Sequence, residues 1–406
     1  MAGPGVVGMA VGDDGTLDRP HRVDMEGAFL AAQTGGDRHQ DVLRAHLVYI
    51  GIKSRLSCAG LTRASIFLEN PSLLDGLPGI GAKTRFALLP GNDEFGAMPA
   101  RRLFLSSGDL IADRRYDFAR DLQMRGDLPA AADLLLQAIE LTPNFASAWF
   151  TLGEIRAKLG ERDAAVEAFR KARTADPLDR HGAAMHLMQL GAEPLSEMPF
   201  GYVQALFDQY APRFETTLLN DLAYRAPSLL FKAVLAARHA AKKPAFFKRA
   251  IDLGCGTGLG AAAFAKEVDH FTGIDLSPGM IEKARASGLY AELEIADMVA
   301  GLAGKGDASA DLVLAADAMV YVADLAPVLV EARRVLAPGG LFAFTTETHK
   351  GEGVVLGGGL RYAHAAAYVR AAIEKAGLKL ALLQEASPRN EDNRPVAGLV
   401  VIATRT

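Results

Sequence analysis

Acids at the ends of apolar runs, and glycines where backbone must approach a ligand, are the residues of this chain best suited to chemistry. The stretch Ala250-Ile251-Asp252-Leu253-Gly254-Cys255-Gly256-Thr257-Gly258-Leu259-Gly260 reads as a short buried strand, a glycine turn and the start of an Ala-rich helix. Glycines at 254, 256 and 258 remove side chains where main chain must pass close to a bound molecule, so the spacing predicts a cofactor-binding turn at the carboxyl end of a parallel strand. Asp275 follows in the strand-like run Phe271-Thr-Gly-Ile-Asp275-Leu276, and an acid there can accept both hydroxyls of a ribose. The dinucleotide pattern Gly-x-Gly-x-x-Gly would need glycine at 259, where the chain has Leu259. NAD and NADP are therefore not expected to bind.

The elements that must hold these residues recur in order. Ser277 is placed to cap a helix that opens with Pro278 and carries Met280. The run 291–298 is a third strand ending at Ala296-Asp297-Met298, 311–317 a fourth ending at Asp317, and 340–346 a fifth after the turn Ala337-Pro-Gly-Gly340. Strands alternating with helices predict a parallel sheet covered on both faces.

Together these motifs resemble those of class I S-adenosylmethionine-dependent methyltransferases. The resemblance implies an α/β, Rossmann-like domain with a mostly parallel seven-stranded sheet, with S-adenosylmethionine as cofactor and Asp297 at its adenine amino group. Cofactor contacts are then expected from Tyr210, Asp252, Gly254, Cys255, Gly256, Gly258, Asp275, Leu276, Met280, Ala296, Asp297, Met298 and Asp317. The segment Phe207-Asp208-Gln-Tyr210-Ala211-Pro212-Arg213-Phe214 is similar to a preamble of bacterial methyltransferases that carry tetratricopeptide repeats, where it forms a lid over the cofactor. Gly353-Val-Val-Leu, 360–364, the helix 365–376, Arg389-x-Glu391 and Pro395-Val396-x-Gly398 match the same subfamily in order.

Methyl transfer from a sulfonium is an in-line displacement that needs alignment and desolvation above all. Where the nucleophile carries a proton a base helps by ~10²- to 10⁴-fold, and His364, Tyr321 and Glu391 are the candidates. Each has a structural alternative: His364 as a helix cap, Tyr321 as packing, and Glu391 in an ion pair with Arg361 and Arg389. The run Asp317-Ala-Met-Val-Tyr321 lacks the Asn-Pro-Pro-Tyr type motif that would grip a planar nitrogen.

Upstream, a 34-residue period relates Gly126 to Gly160, Ala131 to Ala165, Ala138 to Ala172 and Pro143 to Pro177. The second copy, with Trp149, Leu152, Gly153, Ala165, Phe169 and Pro177, resembles the tetratricopeptide repeat. Two copies bury too little to stand alone, so 181–190 is expected as a capping helix. The expected organisation is an irregular leader over 1–97 with one helix near 41–56, an all-α tetratricopeptide module over 98–193 and the methyltransferase domain over 194–406. Met98 is an alternative biological start.

The 406 residues carry a net charge of −4, with 50% hydrophobic and 23% charged residues. No basic run points to nucleic acid, no apolar run is long enough to span a membrane, and two cysteines, Cys58 and Cys255, do not make a disulfide framework. A cytoplasmic enzyme acting on a small-molecule or protein methyl acceptor is expected, with a protein partner possible through the repeats. The alternative is a non-catalytic scaffold that senses the cofactor.

Overall fold

The computed structural model describes Val6–Gly8 and His21–Val23 as backbone elements, and residues 103–406 apart from Arg213 and 215–221. The helix expected near 41–56, Cys58 and the alternative start at Met98 lie outside the described residues. The chain divides into two compact units, Met1–Gly91 and Asn92–Thr406. In the first, β1 (Val6–Gly8) pairs antiparallel with β2 (His21–Val23).

The second unit begins with helices α1 (Leu110–Met124), α2 (Leu128–Leu141), α3 (Ala146–Lys158), α4 (Arg162–Ala175) and α5 (Ala183–Gln189). The bounds of α2 and α4 are 34 residues apart, matching the sequence period. Asp109 caps α1 by accepting from the Ile111 and Ala112 amides, and Asp127 caps α2, which satisfies amides that a helix start leaves open. Alanines at 112, 119, 131, 138 and 148 are fully buried and let the helices approach, with Leu135, Phe145, Leu152 and Ile155 filling the space between. Phe169 and Leu187 join α4 to α5 in a second cluster.

The chain continues through α6 (Phe200–Tyr210) and α7 (Ala226–Ala240) into the sheet domain. There follow β3 (Phe247–Leu253), α8 (Leu259–Ala263), β4 (Val268–Asp275), α9 (Pro278–Ser287), β5 (Glu292–Ile295), α10 (Met298–Ala303) and β6 (Ala310–Ala315). After a 3₁₀ turn, Met319–Tyr321, come α11 (Ala326–Val335), β7 (Leu336–Glu347), β8 (Val354–Leu356), β9 (Tyr362–His364), α12 (Ala366–Lys375), β10 (Lys379–Glu385), β11 (Asn390–Glu391), β12 (Arg394–Pro395) and β13 (Gly398–Thr404).

The main sheet has nine strands, with seven in the order β10-β13-β7-β6-β3-β4-β5. Pairing is parallel from β7 to β5, and antiparallel where β13 joins β7 and β10. The expected seven strands form this path. β8 and β9 are additional, β9 pairing with β7 at Glu347 and β8 with β9. Strand alternation builds two cores. Val313, Ala315, Phe342, Phe344, Leu399 and Val401 face α11 and α12 on one side, while Leu312, Leu314, Leu341, Ala343, Val400 and Ile402 face α7 and Phe264 on the other. From β3 the chain runs outward to β4 and β5, then returns to β6 on the opposite side of β3. This reversal opens a crevice at the carboxyl ends of β3 and β6, the general ligand position of such sheets. Among the described residues, no helix is long and apolar enough to cross a membrane.

Candidate functional site

A cavity of about 1300 Å³ occupies that crevice. Its floor is the ends of β3, β4 and β5 with the residues just beyond them: Gly254, Gly256, Asp275, Leu276, Ala296, Asp297 and Met298. Gly254 and Gly256 have φ of +61° and +54°, left-handed values that side chains rarely adopt. A Cβ on Gly254 would sit 2.7 Å from the Ala318 methyl, so the turn passes too close to the next loop for any larger residue.

Asp275 locks this turn. Its carboxylate accepts the Gly256 amide at 2.8 Å and the Ser277 amide at 2.9 Å, with only 8% of the residue exposed. Burial raises its pKa, and the backbone amides pull the other way. A carboxylate has about four acceptor sites, so capacity remains toward the cavity. Asp297 caps α10, Oδ1 taking the Val299 and Ala300 amides at 3.0 and 3.1 Å. In front of these acids stands α6, whose Tyr202, Val203, Leu206, Phe207 and Tyr210 face the cavity at helical spacing. Asp208 ties α6 down by accepting from the Ser277 hydroxyl at 2.5 Å and the Gly279 amide at 3.2 Å.

The far end of the cavity is ionic. Arg389, 3% exposed, donates to both oxygens of Asp317 at 2.6 Å and bonds Glu347 and Glu391, while Arg361 binds Glu347 at 2.7 Å and also bonds Glu391. Burial raises the Asp317 pKa against the opposing charge of Arg389. Asp317 takes a left-handed φ of +59°.

Of the expected cofactor residues, Tyr210, Gly254, Gly256, Asp275, Leu276, Ala296, Asp297, Met298 and Asp317 line the cavity, as do Tyr321 and Glu391 among the candidate bases. The others stand elsewhere. His364 is fully buried, with Nε2 facing the carbonyls of Val322 and Ala323 at 3.0 and 3.3 Å and Nδ1 at 2.7 Å from the Thr346 hydroxyl. Carbonyls only accept, so Nε2 carries the proton and Nδ1 accepts from Thr346. Burial brings its pKa down to about 4, and this neutral imidazole is structural rather than a base. Met280 is fully buried at the start of α9 and does not reach the cavity. Gly258 begins α8 at φ +102°, where a Cβ would press on Ser287 and Tyr290 and away from the cavity. Asp252 and Cys255 line a crevice of about 30 Å³ beneath the turn. Burial raises the Cys255 thiol pKa.

Asp252 accepts the Tyr290 hydroxyl at 2.7 Å, and burial pushes its pKa up to about 7 despite that bond. A carboxyl raised above its unfolded value contributes stability that is full below ~4 and lost as pH rises through the folded value. Asp252→Asn, which removes the buried charge and keeps an acceptor for Tyr290, is therefore expected to gain thermal stability relative to wild type as pH rises from 4 to 7, and then to level off. Melting curves of both proteins across that range check this, and a pH-independent difference would reject it.

Several lining residues carried no assigned role in the sequence: Tyr224, whose hydroxyl bonds the Ala316 carbonyl at 3.2 Å, Tyr202, Val203 and Glu197. Glu197 had no local signal.

The sequence profile of the methyltransferase domain family matches residues 251–344, which hold the glycine turn, Asp275, Asp297 and Asp317. The chain carries a class I methyltransferase domain. Among curated relatives, methyltransferase-like protein 27 of Homo sapiens is 33% identical over 147 residues, 35% of this chain and 57% of the human protein. A ubiquinone biosynthesis O-methyltransferase of Xylella fastidiosa is 31% identical over 101 residues, 24% of this chain and 41% of that protein. The chain thus spans about half the length of the curated relatives it matches. Among solved structures, Burkholderia thailandensis 1,6-didemethyltoxoflavin-N1-methyltransferase, with 1,6-didemethyltoxoflavin and S-adenosylhomocysteine bound, is 17% identical with a TM-score of 0.40, covering 53% of this chain and 92% of that one.

Proposed function

We propose that the protein is an S-adenosylmethionine-dependent methyltransferase acting on a small-molecule or protein acceptor. The observation that carries this reading is the Asp275 carboxylate clamped to the Gly256 amide at the sheet's reversal point, with Asp297 beside it on the same cavity. The charge of the lining also fits the cofactor. The ionisable lining is Glu197, Asp275, Asp297, Asp317, Asp324, Glu391 and Asp392 against Arg361 and Arg389, a negative field that suits a cationic methyl donor.

S-adenosylmethionine, when bound, supplies a methyl group already activated by its sulfonium. The chain's own residues then align and desolvate. Asp275 would take the ribose hydroxyls, Asp297 the adenine amino group and Tyr210 the cofactor carboxylate. The α6 aromatics exclude water, and holding the partners in line is worth ~7 to 11 kcal/mol. With His364 neutral and buried, and Glu391 held by two arginines, no base is assigned. The paired helices α1 to α4 are read as a tetratricopeptide module suited to a protein partner, and the cytoplasm is the compartment we assign from composition. Calorimetry with S-adenosylhomocysteine, fluorescence titration with NADH, and mass spectrometry of a metabolite extract incubated with protein and S-adenosylmethionine test the reading. Binding of the thioether without NADH, and a product heavier than its acceptor by one CH2 unit, are expected. NADH binding would overturn the turn assignment, and cofactor binding with no methylated product would leave the sensing scaffold.

A further inference from the structure

The helical array and the sheet domain meet at the cavity itself. The turn between α4 and α5 lies against α6: a Cβ on Gly201 would fall 2.2 Å from the Leu178 carbonyl oxygen, and one on Gly182 only 2.6 Å from the Tyr202 ring. Met185 and Met188 of α5 pack with Met198, Ala323 and Tyr362 in one apolar cluster. The Tyr362 hydroxyl donates to the Ser196 carbonyl at 2.5 Å. Next to it, the two oxygens of Glu197 accept the Ala323 amide at 3.1 Å and the Asp324 amide at 2.8 Å.

Ala323 lies two residues beyond Tyr321. That ring meets Phe207 of α6 edge to face, with centroids 5.2 Å apart. Tyr202, Phe207 and Tyr321 all line the cavity. Its 1300 Å³ exceeds the ~300 to 1,000 Å³ typical of a single small-molecule site, leaving room for a second ligand beside the cofactor. The cavity is aromatic along this wall, and its two arginines already have carboxylate partners, so an anionic group finds no uncompensated cation there.

We propose that the end of the helical array is a structural part of the acceptor site. Glu197 is a positioning residue: by holding the Ala323 and Asp324 amides it fixes the Tyr321 loop, which with Tyr202 and Phe207 forms the wall for a flat aromatic acceptor without negative charge. The array thereby shapes what is methylated, whatever else it binds. This rests on the methyltransferase reading.

The full chain is titrated with N-phenyl-1-naphthylamine, an uncharged aromatic fluorophore, with and without saturating S-adenosylhomocysteine, and S-adenosylhomocysteine affinity is measured separately by calorimetry. Glu197→Ala is expected to weaken the fluorophore at least tenfold and Glu197→Gln, which keeps one acceptor oxygen, about threefold. Cofactor-product affinity should stay within twofold, and exchange of the amides at 323 and 324 should speed up. Should Glu197→Ala not fold, the glutamine variant decides by itself. Fluorophore affinity within twofold of wild type in the folded variants, or parallel loss of S-adenosylhomocysteine, would overturn the positioning role. A wild-type protein that does not take up the fluorophore would overturn the aromatic acceptor class. Fluorophore binding that follows Glu197 in a protein that does not bind S-adenosylhomocysteine would instead reject the methyltransferase reading and leave the wall assignment standing.

Discussion

Asp275→Ala is expected to weaken S-adenosylhomocysteine binding by ~10- to 100-fold. A hydrogen bond to a charged acceptor is worth ~1.5 to 3 kcal/mol, and ~1.4 kcal/mol corresponds to one decade of affinity. The loss has a second source. The carboxylate holds the Gly256 amide at 2.8 Å and the Ser277 amide at 2.9 Å, so alanine also frees the turn that must fit the ligand. Asp275→Asn, with one oxygen left for an amide, should lose less. Binding should also weaken on acidification sooner than for an ordinary aspartate, because burial raises this pKa and the ribose contact uses the ionised form. Calorimetry between pH 5 and 8 is the measurement, and unchanged affinity in Asp275→Ala would remove the residue from the cofactor site.

Arg389→Met is expected to lower the free energy of unfolding by ~3 to 5 kcal/mol at neutral pH, the range for breaking a buried ion pair by removing one partner. Arg389 is 3% exposed and touches three carboxylates, those of Asp317, Glu347 and Glu391. Methionine fills much of the space but neutralises none of them. The sign with pH follows from Asp317, which burial already holds above its ordinary range, and further above once the guanidinium is gone. A carboxyl of raised folded pKa contributes stability that is full below its unfolded value near 4 and disappears as pH rises through the folded one. The deficit should therefore be greatest at pH 7 to 8 and shrink toward pH 4 to 5. Urea denaturation at both ends of that range measures it. A deficit that does not change with pH would mean that the cost is lost packing and that the three acids do not depend on Arg389.

The sheet and its floor were legible because their signals are local. Alternation such as Leu312 and Leu314 against Val313 and Ala315 separates the two faces. Asp275 is the last residue of β4 and Asp297 stands two residues beyond β5, so both could be placed without knowing the fold. His364 could not. Its partners Thr346, Val322 and Ala323 are 18, 42 and 41 residues away, and nothing beside it distinguishes a buried imidazole from an exposed one. Glu197 presented the same difficulty, since it sits between Pro194 and Pro199 and bonds residues more than 120 positions downstream. β8, β9, β11 and β12 span two or three residues each, too few for a period to show. Met280 differs, because Met280, Ile281 and Ala284 repeat at helical spacing and are all buried. That pattern was available and marks a core face.

The left-handed backbone of Asp317 narrows what evolution can place there. Glycine adopts φ +59° freely but removes one of the three carboxylates around Arg389. Glutamate keeps the charge, yet lacks the short side chain that lets aspartate and asparagine tolerate this conformation, and asparagine accepts the backbone but gives up the carboxylate whose two oxygens both meet the guanidinium. Aspartate alone meets both the torsional and the electrostatic demand. A change at 317 is thereby felt at Arg389, and through it at Glu347 and Glu391.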